Sequence, residues 1–169
     1  MSKAAVAPLV INGWTIFAHP LFIDQLEAII TEVEALRRKN PEEYSKKNAS
    51  KRLAAIFKLA FEVIPQDPGR PEYRQGNTLG EEHRHWLRAK FFQQYRLFFR
   101  YHQQSKIIIY AWVNDEDSKR AYESGDDAYR VFRKMLEEGH PPGEWNALLA
   151  ETKVYRLQQV MDKTSLLQP

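Results

Sequence analysis

The stretch HRHWLRAKFFQQYRLFFRYHQQSKIIIYAWVND, running from His83 to Asp115, reads as three consecutive β-strands. In the first, Leu87, Ala89 and Phe91 alternate with Trp86, Arg88 and Lys90. In the second, Tyr95, Leu97, Phe99 and Tyr101 alternate with Arg96, Phe98 and Arg100. Directly opposed residues of an antiparallel pair share a face, so keeping apolar against apolar requires an odd-length connection. A three-residue loop at Phe92-Gln93-Gln94 satisfies this. It sets Phe91 opposite Tyr95, Ala89 opposite Leu97 and Leu87 opposite Phe99. On the other face the same register puts Lys90 opposite Arg96 and Arg88 opposite Phe98, so three cationic side chains converge.

Like charges opposed across strands are destabilising, so the convergence calls for a reason. One reading is a solvated outer face whose long side chains splay apart. The other is an anion site, most naturally for a phosphodiester, in which the ligand relieves the repulsion. Six basic residues (Arg84, Arg88, Lys90, Arg96, Arg100, Lys106) lie between His83 and Asn114 with no Asp or Glu among them.

The rest of the composition is ordinary. A chain of 169 residues, 43% hydrophobic and 28% charged, fits one soluble domain over residues 1–169 with flexible ends at about 1–10 and 162–169. The net charge of +3 does not by itself imply nucleic acid. With no cysteine, disulfides, iron–sulfur clusters and thiol nucleophiles are excluded, which suits a reducing cytoplasm. Neither a signal peptide nor a membrane span is legible.

Along the chain, Asn12-Gly13 marks a turn, Trp14 to Ala18 a short strand, and Pro20 the first turn of a helix. Phe22, Leu26, Ile29, Ile30, Val33 and Leu36 recur at helical spacing to about Arg38. After Asn40-Pro41 a second helix, with Tyr44, Leu53, Phe57, Ala60, Phe61 and Ile64 inward, runs to Pro65. The two would form an αα-hairpin covering one face of the sheet. Gln66 to Arg74 is loop, and Tyr73 to Leu79 would begin the sheet. Beyond Asp115-Glu116-Asp117, Ser118 to Glu123 suggests a helical turn. Asp126-Asp127 then opens a helix carrying Ala128, Val131, Phe132, Met135 and Leu136, which Gly139 stops. A last helix is expected from Glu144 to Met161.

No P-loop, dinucleotide glycine pattern or nucleophile elbow is present. His83 and His85 would share a strand face, but nothing else converges with them, so no metal site and no cofactor is assigned. His19 and His140 each precede a proline, where a capping or loop hydrogen bond is expected. Trp86 lies on the basic face and is the one aromatic left out of the core; it either stacks on a base or packs beneath a loop.

The blocks WLRAKF, YRLFFRY and IIIYAWVNDE, with NGWTIFAHPLF before them and DDAYRVFRKMLEEGHPPGEW after, resemble the YhaV-type toxins of the RelE/ParE toxin–antitoxin superfamily. The likeness covers about residues 10 to 150. It implies an α+β, RelE-like fold, an N-terminal helical hairpin on a twisted antiparallel sheet with C-terminal helices. It also implies a metal-independent endoribonuclease that cleaves mRNA, in some members on the ribosome, and so inhibits translation and growth. In family terms Arg88, Lys90 and Arg96 match the residues that bind and activate the scissile phosphate. Arg100, Trp86, Arg120 and Tyr122 are weaker candidates for holding substrate. The resemblance further implies a PrlF-like antitoxin that masks the cationic face, and a complex that binds operator DNA and represses its own operon.

The chain departs from the pattern after the third strand. Many relatives carry a basic residue and then a Tyr or His there, whereas this chain has the acidic Asn114-Asp115-Glu116-Asp117. Arg120 and Tyr122 come later as substitutes, and Asp115 is either a base or a turn residue, so the general acid and base stay open. Two alternatives to cleavage stand beside it. One is a ParE-like toxin acting on a protein such as DNA gyrase; the other is a non-catalytic RNA-binding module.

Overall fold

The computed structural model describes residues 9–114, 127–152 and 154–167. Arg120 and Tyr122, with Asp115 and the expected turn at 118–123, lie outside the described residues. The central hairpin has the register that its alternation dictates. Strand β3 (Leu87–Phe91) pairs antiparallel with β4 (Tyr95–His102), Lys90 facing Arg96 and Arg88 facing Phe98. The loop turns on left-handed backbone at Phe92 and Gln93. Strand β5 (Ile107–Val113) continues antiparallel against β4, with a register shift between Phe98 and Phe99.

The sheet is α+β in context but not wholly antiparallel, which corrects the sequence expectation. A short β1 (Val10–Ile11) and β2 (Trp14–Ala18) form a hairpin at the other edge, and β2 runs parallel to β5. The order is β1-β2-β5-β4-β3. β2 and β3 therefore run in the same direction from opposite sides of β5. Strands so related need a long crossover, and the helices between residues 20 and 66 supply it.

Helix α1 (Pro20–Lys39) starts on His19, whose Nδ1 accepts the Leu21 N–H at 3.2 Å. This is the capping bond expected at that position. The second helix does not run unbroken from Tyr44. A 3₁₀ turn at Tyr44–Lys46 gives way at the extended Lys47, and α2 occupies Asn48–Lys58. It then loosens into a π turn (Leu59–Val63) and a 3₁₀ turn (Ile64–Gln66) at Pro65. Tyr73 to Leu79 contributes only one bridge, Arg74 to Leu87. The Gln75 side chain instead bonds the Leu79 N–H, Thr78 and the His83 carbonyl, holding a loop in which Gly76 and Gly80 take positive φ.

Both faces of the sheet are covered. On one, Ile16, Leu97, Phe99, Ile108 and Tyr110 pack under α1, α2 and α5 (Val154–Leu167). On the other, Phe98, Ile109, Trp112 and Trp86 pack under α3 (Asp127–Glu137) and α4 (Trp145–Ala150). Phe132 of α3 is fully buried and stacks on Phe98 at 4.3 Å and on Trp112 at 5.6 Å. α3 ends as expected, Gly139 taking φ +77 and the His140 N–H returning to the Met135 carbonyl.

The single last helix is corrected to two. Glu144 caps α4 by accepting the Asn146 and Ala147 N–H groups, and α4 stops at Ala150 before α5 begins. α5 runs through 162–167 and buries Thr164 and Leu167. At the other terminus, Leu9 accepts the Ile16 N–H beside the β1–β2 hairpin. Among the described residues no helix is long and apolar enough to cross a membrane.

Candidate phosphate-binding site

Alternation on β3 and β4 puts Arg88, Lys90 and Arg96 on the face that α3 covers, near the hairpin loop. α3 does not cover them with a hydrophobic side chain. Its first turn brings Tyr129, whose hydroxyl oxygen accepts from Arg88 Nε at 2.8 Å and from Arg96 Nε at 3.1 Å. The Arg96 guanidinium also lies 5.8 Å from the Tyr129 ring centre. Two cations thus share one phenol oxygen, which answers part of the repulsion noted in the sequence. A phenol has one hydrogen to donate, and among the described residues no acceptor takes it.

The two arginines are held differently. Arg96 is buried, and its Nη1 donates to the carbonyls of Gln93 at 2.7 Å and Tyr95 at 3.0 Å. Its backbone N–H goes to the buried Asn114 Oδ1 at 2.7 Å, while Asn114 Nδ2 donates to the Gln94 carbonyl. Asn114 therefore ties the end of β5 to the β3–β4 loop and fixes the backbone that carries Arg96. Arg88 is half-buried and bonds the Glu72 carbonyl at 2.6 Å, and Lys90 is exposed. Arg96 is fixed and Arg88 tethered where they meet at the Tyr129 hydroxyl, and Lys90, opposite Arg96 in the strand pair, reaches solvent. Such a group suits an oxyanion, because fixed donors need not reorganise when charge develops.

Two weaker candidates lie elsewhere. Trp86 is fully buried, edge-on to Phe132 at 5.0 Å, so leaving it out of the core is corrected. Its Nε1 has no hydrogen-bond partner among the described residues. Arg100 lies between the rings of Trp86 at 5.6 Å and Trp145 at 5.3 Å, and it donates to the Gly143 carbonyl at 2.6 Å. Burial lowers its pKa to about 10, with Glu144 acting in the opposite direction. Arg100 thus clamps the loop after α3 to the sheet, apart from the trio. The clue was available: Phe98 and Trp112 break the polar alternation of this face and ask for a covering layer.

Nor do His83 and His85 share a strand face, since His83 closes a 3₁₀ turn ahead of β3. Burial lowers the His85 pKa, helped by the charge of Arg100. A different group could be read as metal ligands. His19, His140 and Glu151 bring their ligand atoms within 4.8 Å of one another. Its hydrogen bonding argues for another state. His19 Nδ1 accepts from Leu21, which puts the proton of the neutral ring on Nε2, directed at Glu151 Oε1 2.7 Å away. A metal at Nε2 would need the opposite tautomer. Burial is the main cause of the lowered His19 pKa, opposed by the Glu151 bond.

Residues 16–153 match the family model described as a toxin with endonuclease activity, of a toxin–antitoxin system. The chain is 46% identical over 148 residues to "Toxin YhaV" of Escherichia coli O6:H1, a match covering 86% of this chain and 96% of that protein. With "Ribonuclease toxin YhaV" of another Escherichia coli strain it shares 45% identity over the same coverage. No solved structure matches it.

Proposed function

Because the chain belongs to the YhaV family of toxins, described as endonucleases of toxin–antitoxin systems, we propose that it cleaves RNA at the site formed by Arg88, Lys90, Arg96 and Tyr129. The observation that carries this is the convergence of Arg88 and Arg96 on the Tyr129 hydroxyl, with Lys90 opposite Arg96 on the same strand pair. The fold is RelE-like in this reading. The substrate is mRNA, free or on the ribosome, and its loss halts translation in the cytoplasm.

The chemistry needs positive charge and one mobile proton. The ribose 2′ oxygen bonds to phosphorus and the bond from phosphorus to the 5′ oxygen breaks, leaving a 2′,3′-cyclic phosphate. Negative charge builds on the non-bridging oxygens, where Arg88, Lys90 and Arg96 favour it. The departing 5′ oxygen takes the hydrogen of Tyr129, and the proton released by the 2′-hydroxyl returns to the phenol through solvent. The side-chain cations supply the charge a metal would bring, so the reaction is metal-independent.

A cognate antitoxin of PrlF-like type neutralises the chain, and the complex binds operator DNA to repress its operon. The test is purified chain with end-labelled RNA, with and without ribosomes. Cleavage that is lost in folded Arg88→Ala supports the reading. Full activity in that variant would remove its centre, and binding without cleavage would favour an RNA-binding module.

A further inference from the structure

The sheet site leaves much of the molecule's positive charge unused. Residues 37–58 carry eight Lys and Arg against two Glu, a net +6, whereas the whole chain is only +3. This charge lies on the end of α1, the turn that follows it and α2, beside the end of α5. Three clefts of about 420, 330 and 160 Å³ open there. Leu167 lines the first and third, and Tyr44 the second and third, so the three are adjoining clefts, together termed the trough.

The trough has a particular chemistry. Arg37, Arg38, Lys39, Lys47, Lys51 and Lys163 line it, and among the described residues Glu34 is the one carboxylate that does. Between the cations the floor is apolar, made by Leu36, Leu166 and Leu167. Leu166 is 75% exposed, the most exposed large apolar side chain among the described residues. The floor is also pre-built: Arg37 Nη1 donates to the Leu166 carbonyl at 3.0 Å, and the Tyr44 hydroxyl to the Leu167 carbonyl at 3.1 Å.

We propose that this trough docks an acidic amphipathic helix carried by the protein that neutralises the chain, anchoring it away from the Arg88, Lys90 and Arg96 face. The inference rests on the toxin–antitoxin reading. A helix with leucines on one side and glutamates beside them would cover Leu166 and meet the cationic rim. Nucleic acid fits the same charge less well. An apolar floor gives phosphates nothing, and Tyr44, the one aromatic among the described residues that line the trough, is buried with its hydroxyl engaged, so it offers no ring for a base.

The experiment uses the full chain and its co-expressed antitoxin. One variant combines Arg38→Gln, Lys47→Glu and Lys51→Glu, one change in each cleft; a second replaces Leu166 with photoreactive benzoylphenylalanine. The triple variant should keep its thermal midpoint and cleave labelled RNA as before, yet bind antitoxin at least tenfold more weakly at low salt. Position 166 should cross-link to the antitoxin, and the same replacement at the exposed Val10 should not. Unchanged antitoxin affinity, or no cross-link at 166, overturns the proposal. Loss of RNA affinity with antitoxin binding intact would make the trough a nucleic-acid surface and overturn it too. Antitoxin affinity is measured without RNA, so an inactive wild type would refute cleavage and leave the docking result standing on its own.

Discussion

Replacing Tyr129 by Phe removes one oxygen from the place where two guanidinium groups meet. Hydrogen bonds to charged groups contribute about 1.5–3 kcal/mol each. Water can replace the lost partner at the half-buried Arg88, and Arg96 keeps the Gln93 and Tyr95 carbonyls. The ring stays, with its edge contact to Phe98 at 5.7 Å. The stability cost should therefore be about 1–3 kcal/mol, less than two full charged bonds. Catalysis should suffer more. Loss of a positioned proton donor lowers rate by about 10²- to 10⁴-fold. At about 1.36 kcal/mol per tenfold, that is about 2.7–5.4 kcal/mol of barrier. Single-turnover cleavage of labelled RNA, beside thermal unfolding of the same preparations, separates the two effects. A folded Tyr129→Phe protein that cleaves at the wild-type rate would show that the phenol only spaces the arginines, and the assigned proton route would be wrong.

Lys90→Ala should fold with an unchanged midpoint and lose most cleavage, because Lys90 is exposed and opposed to Arg96; kinetics and melting on one sample check this. Leu97→Ala should differ in kind, opening a cavity beneath the sheet and costing about 2–5 kcal/mol by denaturant unfolding. Cleavage should survive EDTA and leave a 2′,3′-cyclic or 3′-phosphate end, whereas magnesium-dependent 5′-phosphate products would point to another mechanism. His19 should make the fold acid-sensitive. Its folded pKa lies below 6.5, so the unfolded chain binds the proton first, and stability should fall as pH drops below about 6.5. His85 shifts the same way, so His19→Asn should remove only part of the slope in melts taken from pH 7.5 to 5.

What the sequence determined by itself was local. Alternation with period two set the β3–β4 register, and a one-residue slip would have turned Leu87, Ala89, Leu97 and Phe99 out of the core. That register alone opposed Lys90 to Arg96. Helical spacing likewise settled the inward stripe of α1, and Gly139 the end of α3. Tertiary structure decided what lies opposite a face, since periodicity says that a side chain points outward but not what meets it. It placed α3 over Phe98 and Trp112, which buried Trp86 and enclosed Arg100 between two indoles. It ran β2 parallel to β5, because strand direction follows from the path of the whole crossover. It also brought Tyr129 to Arg88 and Arg96 across 41 and 33 residues of chain, a meeting no local pattern encodes.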